Sequence, residues 1–594
     1  MKKQIRIGNA GGFWGDDLQA LKRQLTGGQL DYISIDYLAE ITMSILRKQQ
    51  IKNPALGYVH DFVNQIIEVA PIIKEKHTRI IANAGGINPV ECARKILKEL
   101  EKVNIKLKIA IIEGDNIIDK IDDFYPAKSS FKNMENDTDF ASVRSKLQSA
   151  NAYLGVAPVV KALETGADII ICGRVTDTAI TIAPMVYEFG WALNDWDKLA
   201  SGLVAGHIIE CGAQATGGNF TDWHLIKKWE NFGYPVVEIN ADGTFAVTKH
   251  ENTGGLVTVN TVKEQLVYEM GNPSAYISPD VVADFGTIQL AQDGENRVKV
   301  WGVKGMPSTP FLKVSMAYAD GYKATGSIII CGEKAVEKAH IFATTFWKRL
   351  NINFEKTNTE MVGHNASHKT LAREVETNEI LLRLSVYDSD AKKLDTFGKS
   401  IAPLILSGPQ GVAVTGGRPS AQEVMTYYPT LIPKELVPTQ VSLLDDAGKI
   451  ILTFEVDSFT GFEQTIDLPE PTKQIATKPI KLDFEKKSTK KIKLRELCLA
   501  RSGDKGDMAN IGVVARSPEI YEHLKKHLTA GVVKTWFDGI CKGNVKRYEL
   551  DNLQALNFLL EESLDGGGTK SLMIDAQGKT YASALLGQEF WIEG

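Results

Sequence analysis

The sequence predicts an α/β protein with a largely parallel N-terminal βα domain, a mixed α+β middle region and a small C-terminal α+β domain. Three observations carry this. Up to about Gly233, short β-branched runs alternate with amphipathic stretches, the pattern of βα units feeding a parallel sheet. Beyond it the texture becomes hairpin-like, and the last hundred or so residues follow a lysine- and proline-bearing stretch that reads as a linker.

In the first region the expected strands are Gln4–Asn9, Leu30–Asp36, Arg79–Asn83, Leu107–Glu113 and Asp168–Gly173. The helical patterns between and after them are Asp16–Leu25, Tyr37–Arg47, His60–Glu75, Pro89–Val103 and Thr178–Phe189. Val90, Cys92, Ala93, Ile96, Leu97 and Leu100 have the spacing of a helical face packed on a sheet. Pro89 suits a first turn, where its missing N–H costs nothing. Next, EINADGTFAVTKH reads as a hairpin around Asp-Gly, and Thr261 with Glu264 has capping-box spacing at the start of a helix. A helix is expected at Glu333–Leu350 and a strand at Ile380–Tyr387.

At the C-terminus the expectation is strands at Lys491–Ala500, Asn510–Ala515 and Val545–Leu550. Helices are expected at Pro518–Phe537 and Leu553–Glu561, and a hairpin at Leu572–Leu586 around Asp575–Lys579. The resulting division is an α/β domain at 1–375, a mixed extension at 376–470, a linker at 471–490 and a small domain at 491–594.

The 594 residues are 43% hydrophobic, 24% charged and 8% aromatic, ordinary for a globular chain and against long disorder. A net charge of −5 offers no basic footprint for nucleic acid. No apolar run approaches the ~18 residues that would span a bilayer, and the start lacks the apolar core of a secretory signal. The six cysteines are far apart and show no zinc-type spacing. A cytoplasmic protein with reduced thiols, no membrane or nucleic-acid partner, no metal and no cofactor is expected, acting on a small molecule and forming a homo-oligomer.

Chemistry-bearing residues recur where the expected strands end. The first strand runs into Asn9, Gly11 and Gly12, and the second into Asp36 and Glu40. The third runs into Asn83, Gly85 and Gly86, the fourth into Asp115, and the fifth into Arg174 and Asp177. A later segment carries His207, Glu210, Cys211, Gln214 and Asn219. In a parallel sheet all strand carboxyl ends open on one edge, where ligands bind, so these segments should meet.

Each element has a plainer reading. The Gly-Gly pairs are either tight turns or backbone nests for an anion; neither matches a nucleotide fingerprint. Asp36 and Glu40 are either a surface pair at a helix start or, because Asp36 ends an apolar strand, a buried general base. Arg174 with Asp177 is either a structural ion pair or a site where Arg174 clamps a carboxylate or phosphate. His207 is a core histidine, an acid–base group oriented by Glu210, or a partner to a nucleophilic Cys211. In the C-terminal region, Arg501 and Lys505 lie in a glycine- and charge-rich segment longer than a hairpin needs. That segment is a solvated loop or a loop that reaches an anion.

GNAGGFWGDD, DYISIDYLAEITM, NAGGINP, GRVTDTA, GHIIECGAQATGGNFTDW and VKEQLVYEMGNPSAYISPDVVADF together resemble the acyclic terpene utilisation protein A family (the domain of unknown function 1446 group). LCLARSGDKGDMANIGVVAR, LDGGGTKS and ALLGQEFW resemble its appended ferredoxin-like domain. The resemblance implies bacterial catabolism of geranyl- and citronellyl-type acids through branched acyl-CoA intermediates. It further implies a carbon–carbon lyase or hydrolase step on a 3-hydroxy-3-alkylglutaryl-CoA-like substrate. The alternative is a non-catalytic acyl-CoA-binding or accessory subunit. It supplies no catalytic residues, so the candidates rest on the strand-end pattern.

Overall fold

The computed structural model describes residues 2–39, 42–373, 375–457, 467–469, 473–482 and 489–593. Contacts divide the chain into two compact units: 1–317 with 427–472 and 550–555, and 318–426 with 473–549 and 556–594.

The first unit is built on an eleven-stranded sheet. In chain order the first strands are β1 (Gln4–Asn9), β2 (Tyr32–Ile35), β3 (Arg79–Ala82), β4 (Ile109–Glu113), β5 (Leu147–Ala152), β6 (Ile169–Cys172), β7 (Pro235–Asn240) and β8 (Phe245–Lys249), of which β5 lies outside this sheet. Five neighbours, β1-β2-β3-β6-β4, run parallel. Their registers pair Ile7 with Tyr32, Ile33 with Ile80, and Ile81 with Ile170. Every residue of β2 and β6 is buried, as expected of parallel strands covered on both faces. Antiparallel strands extend both edges: β7 and β8 beyond β1, and Thr439–Leu444 with Ile450–Val456 beyond β4. The change of texture near 233 is therefore continuous with the sheet.

Helices His60–Lys76 and Pro89–Lys102 bury the apolar faces their spacing announces, the latter through Cys92, Ala93, Ile96, Leu97 and Leu100. Asn88 caps that helix by accepting from Glu91 N, with Pro89 in its first turn. The expected helix at Asp16–Leu25 starts later than its pattern, at Ala20, because the polar residues before it belong to the strand-end loop; in the expected helix at Tyr37–Arg47 the described helix is Thr42–Lys52. The capping box is Thr258 with Thr261. Glu264 is instead buried and accepts from Thr221 N at 3.2 Å.

In the second unit, Lys356–Val362, Glu379–Asp388 and the later part of Phe311–Cys331 form one antiparallel sheet. Its core includes helices Ala335–Leu350 and Ala391–Ser400. A separate five-stranded sheet runs Lys473–Ala476, Val545–Leu550, Ala555–Leu560, Met508–Ala515, Cys498–Lys505.

Here several expectations are corrected. The expected helix at Leu553–Glu561 is the fully buried strand Ala555–Leu560; a short, mostly apolar run suits either state, and a central strand position decided it. The stretch Pro518–Phe537 is two helices because Thr529 caps a new one at Ala530. At Leu572–Leu586 the chain forms turns and the helix Tyr581–Leu586, with the Asp575 carboxylate accepting from Lys579 N and Thr580 N. Part of the expected linker, Lys473–Ala476, is a strand paired with Val545–Tyr548; residues 471–472 and 483–488 of it lie outside the described residues.

Candidate functional site

Because β1, β2, β3, β6 and β4 are parallel, their carboxyl ends deliver Asn9, Asp36, Asn83, Arg174 and Asp115 to one edge of the sheet. Hydrogen bonds join these ends. Asp36 N donates to Gly11 O at 3.1 Å, Asn83 Nδ2 donates to Asp36 Oδ1, and Gly85 N donates to Cys172 O at 3.0 Å. Arg174 N donates to Asp115 Oδ2 at 2.9 Å, and the Arg174 guanidinium donates to Leu38 O and to the Asp177 carboxylate.

Asp36 lies 6% exposed. Burial drives its carboxyl well above the usual carboxylate range, and the Asp177 charge adds to this. Arg174 and the bonds from Asn83 and Leu38 N pull the other way. Burial likewise raises Asp115 to about 6, against the bonds from Arg174 N and Asn151. Arg174 is itself buried, with its guanidinium carbon 4.1 Å from the centre of the Tyr153 ring.

A second set of groups comes from helix Trp196–Ile209 and the turn after it. His207 is buried, its Nδ1 lies 3.2 Å from Glu210 Oε1, and its ring meets Tyr276 and Phe285 edge-on at 5.3 and 5.5 Å. Burial raises the Tyr276 phenol well above its ordinary value, and the charges of Glu210 and then Asp177 raise it further. Asp177 thus acts electrostatically on both Asp36 and Tyr276, which links the two sets. The backbone links them as well: a Cβ on Gly12 would lie 2.9 Å from Cys211 C and Cα. Asp177 and Glu210 keep 35% and 13% of their side chains exposed, so the wetter side of the cluster is theirs.

The glycine pairs do not form open anion nests. Gly11 N donates to Asn9 Oδ1 and Gly12 N to Asp16 Oδ2, while Gly85 N and Gly86 N donate to Cys172 O and Asn83 O. The pairs are there for close packing: a Cβ on Gly85 would meet Cys172 O at 2.7 Å, and Gly86 has φ +54°. Gln214 and Asn219 hydrogen-bond each other at 3.3 Å on the exposed end of a short helical turn. Glu40 lies outside the described residues. Arg501 and Lys505 belong to the second unit, where their segment is a plain hairpin, Cys498–Lys505 with Met508–Ala515. Its two-residue turn contains Gly506 at φ +61°, so the expected long loop is a strand pair. Tyr153, Asn151 and Tyr276 were not among the expected site residues: none lies at the end of an expected strand, and Tyr276 lies within the stretch VKEQLVYEMGNPSAYISPDVVADF without being singled out by it.

Among the described residues no group of His, Cys, Asp and Glu could hold a metal ion, no helix is long and apolar enough to cross a membrane, and all six cysteines are free.

Fold and site together define a parallel-sheet α/β protein with a buried carboxyl–guanidinium cluster at the strand ends and a ferredoxin-like C-terminal domain. The model of the acyclic terpene utilisation family protein AtuA matches residues 5–443, and that of the AtuA ferredoxin-like domain matches 492–591. The chain belongs to the acyclic terpene utilisation family. No curated protein and no solved structure matches it.

Proposed function

We infer from its family membership that this protein acts in acyclic terpene utilisation. Within that role we propose that the strand-end cluster performs acid–base cleavage of a branched 3-hydroxy acyl substrate of the 3-hydroxy-3-alkylglutaryl thioester type. The observation that carries this reading is Asp36: a buried carboxyl with a raised pKa beside a buried guanidinium. Such a carboxyl, once ionised, is a stronger base than a solvated one. Asp36 takes the proton of the tertiary hydroxyl, and the O–H electron pair becomes the π bond of a ketone. The adjacent C–C bond breaks, and its electrons pass to the leaving acetate fragment as an enolate. Glu210 with His207 returns a proton to that carbon, giving ketone and acetate without net water. Arg174 holds the substrate carboxylate and the developing negative charge, where a preorganised cation contributes most.

The test follows acetate release from a 3-hydroxy-3-methylglutaryl thioester by the purified full chain. Asp36→Asn should lower kcat by at least about 100-fold, and Glu210→Gln by about 10- to 100-fold, with the fold retained by circular dichroism. Unchanged turnover in both variants removes these roles. One observation favours a second reading, an accessory acyl-CoA-binding subunit: Trp223, Leu225 and Trp229 are each more than half exposed within seven residues, as a partner-binding surface requires. Co-purification with partner subunits and no turnover by the isolated chain would select it.

A further inference from the structure

Helix Val156–Glu164 begins directly after the segment against which Arg174 lies. Leu154 N donates to Arg174 O at 3.2 Å and Thr176 N to Leu154 O at 2.8 Å, which makes Leu154 a parallel bridge to Val175. The ring of the preceding residue, Tyr153, lies under the Arg174 guanidinium. The following residue, Gly155, is the N-cap of the helix and has no side chain to satisfy the first-turn amides. The cap comes from far along the chain: Asp280 Oδ1 accepts from Val156 N at 2.8 Å. Asp280 is held in turn, since Asp280 N and Val281 N donate to Ser278 Oγ at 3.2 and 3.0 Å. A Cβ on Gly155 would lie 2.3 Å from the same Asp280 Oδ1, so the glycine leaves the room that the carboxylate fills. All of these residues lie in the first unit.

We propose that Asp280 is a positioning residue for Arg174: by capping the helix it fixes Tyr153 and Leu154, and through them the guanidinium. This rests on the proposed function, in which Arg174 holds the substrate carboxylate at the cluster of Asp36. A carboxylate at a helix N-terminus meets the positive end of the dipole, and its effect is confined to the first turn. Here the residues just before that turn supply both the backbone and the ring that Arg174 rests on. The charges that act on Asp36 are those of Asp177, which opposes its ionised form, and Arg174, which favours it. Removing the cap lets the guanidinium drift from Asp36, and Asp36 then titrates higher.

The experiment compares the full wild-type chain with Asp280→Ala, Asp280→Asn, Gly155→Ala and the double variant Gly155→Ala with Asp280→Ala. Hydrogen–deuterium exchange of peptides covering 153–156 and 174–177 needs no turnover. Asp280→Ala and Gly155→Ala should each speed exchange of both segments about tenfold. Asparagine still accepts from Val156 N, so Asp280→Asn should restore wild-type exchange. The double variant should be no worse than either single one, because both changes remove the same contact. In the pH profile of kcat for acetate release, the acidic limb should move up by about half a unit in Asp280→Ala and return in Asp280→Asn. A mere loss of folded protein would lower the profile without moving it. Gly155→Ala replaces Asp280→Ala if the latter does not fold. Exchange at 174–177 within about twofold of wild type in Asp280→Ala would overturn the inference, and the proposed function would stand if acetate release persists. Faster exchange with an unmoved pH profile would make Asp280 a structural cap only and overturn it too. If wild type releases no acetate, the proposed function falls, and exchange alone decides whether Asp280 positions Arg174.

Discussion

Asn83 and Asp36, at the ends of adjacent parallel strands, are joined by a side-chain hydrogen bond in which the Asn83 amide donates to Asp36 Oδ1. Asn83 Oδ1 in turn accepts from Tyr37 N at 2.8 Å. Asn83 is fully buried, so water cannot replace either bond. Asn83→Ala leaves a buried amide and a buried carboxyl each short of a partner and should cost roughly 2–4 kcal/mol. It also removes one of the groups that favour the ionised form, so Asp36 should titrate still higher. Urea unfolding tests the first effect and the pH profile of kcat the second. A variant as stable as wild type would show that this bond does not hold the strand ends together.

Asp115 makes a pH prediction with a definite sign. Its carboxyl is raised from 3.8 to about 6 in the fold, chiefly by burial. Between these values the unfolded chain has lost the proton that the folded chain keeps, so the unfolded state binds fewer protons. Stability therefore falls as pH rises from about 4 to about 6 and levels off above. Asp115→Asn has no such titration. The wild-type stability minus that of the variant should fall by on the order of 2 kcal/mol across this window. Urea melts at pH 4, 5, 6 and 7 would measure it, and parallel curves for the two proteins would contradict it.

Gly12 sits where the β1 loop meets the segment carrying Glu210. A methyl group there would lie 2.9 Å from the Cys211 backbone and 3.0 Å from Glu210 O, and backbone cannot yield as a flexible side chain can. Gly12→Ala should cost about 1–3 kcal/mol and lower turnover by shifting Glu210 relative to Asp177. Gly417→Ala, with nothing near its Cβ position, is the control and should be neutral or slightly stabilising. Equal melting temperatures for the two variants would refute the packing role of Gly12.

The strand-end residues were legible in the sequence because parallel topology follows from alternation alone, and parallel strands share their carboxyl edge. Asn9, Asp36, Asn83, Asp115 and Arg174 could thus be grouped without knowing a single contact. The glycine amides could not be assigned that way: whether Gly12 N meets a ligand or Asp16 depends on where the Asp16 side chain turns. Tyr153 reaches the cluster from a segment joined to it only by tertiary pairing, which no local pattern encodes. The same limit explains Ala555–Leu560, whose apolar run carries no period to separate helix from strand.

Lys434 offers a prediction of opposite sign, independent of the strand-end cluster. It is 3% exposed, its ammonium donates to Pro279 O at 2.7 Å and Ser308 Oγ at 2.8 Å, and it borders a small cavity with Asp280, Leu193, Leu199 and Leu312. Burial lowers its pKa from 10.5 to about 8, partly opposed by the charge of Asp280. Between about 8 and 10.5 the unfolded chain holds a proton that the folded chain has released. The unfolded state then binds more protons, and stability rises with pH through that window. Lys434→Met removes the titration along with both hydrogen bonds. Wild type should therefore gain on the variant by on the order of 2–3 kcal/mol between pH 8 and pH 10.5, read from paired urea melts at half-unit steps. If the wild-type advantage stays constant or shrinks over this range, the ammonium is solvated in the folded protein and the cavity wall is not closed around it.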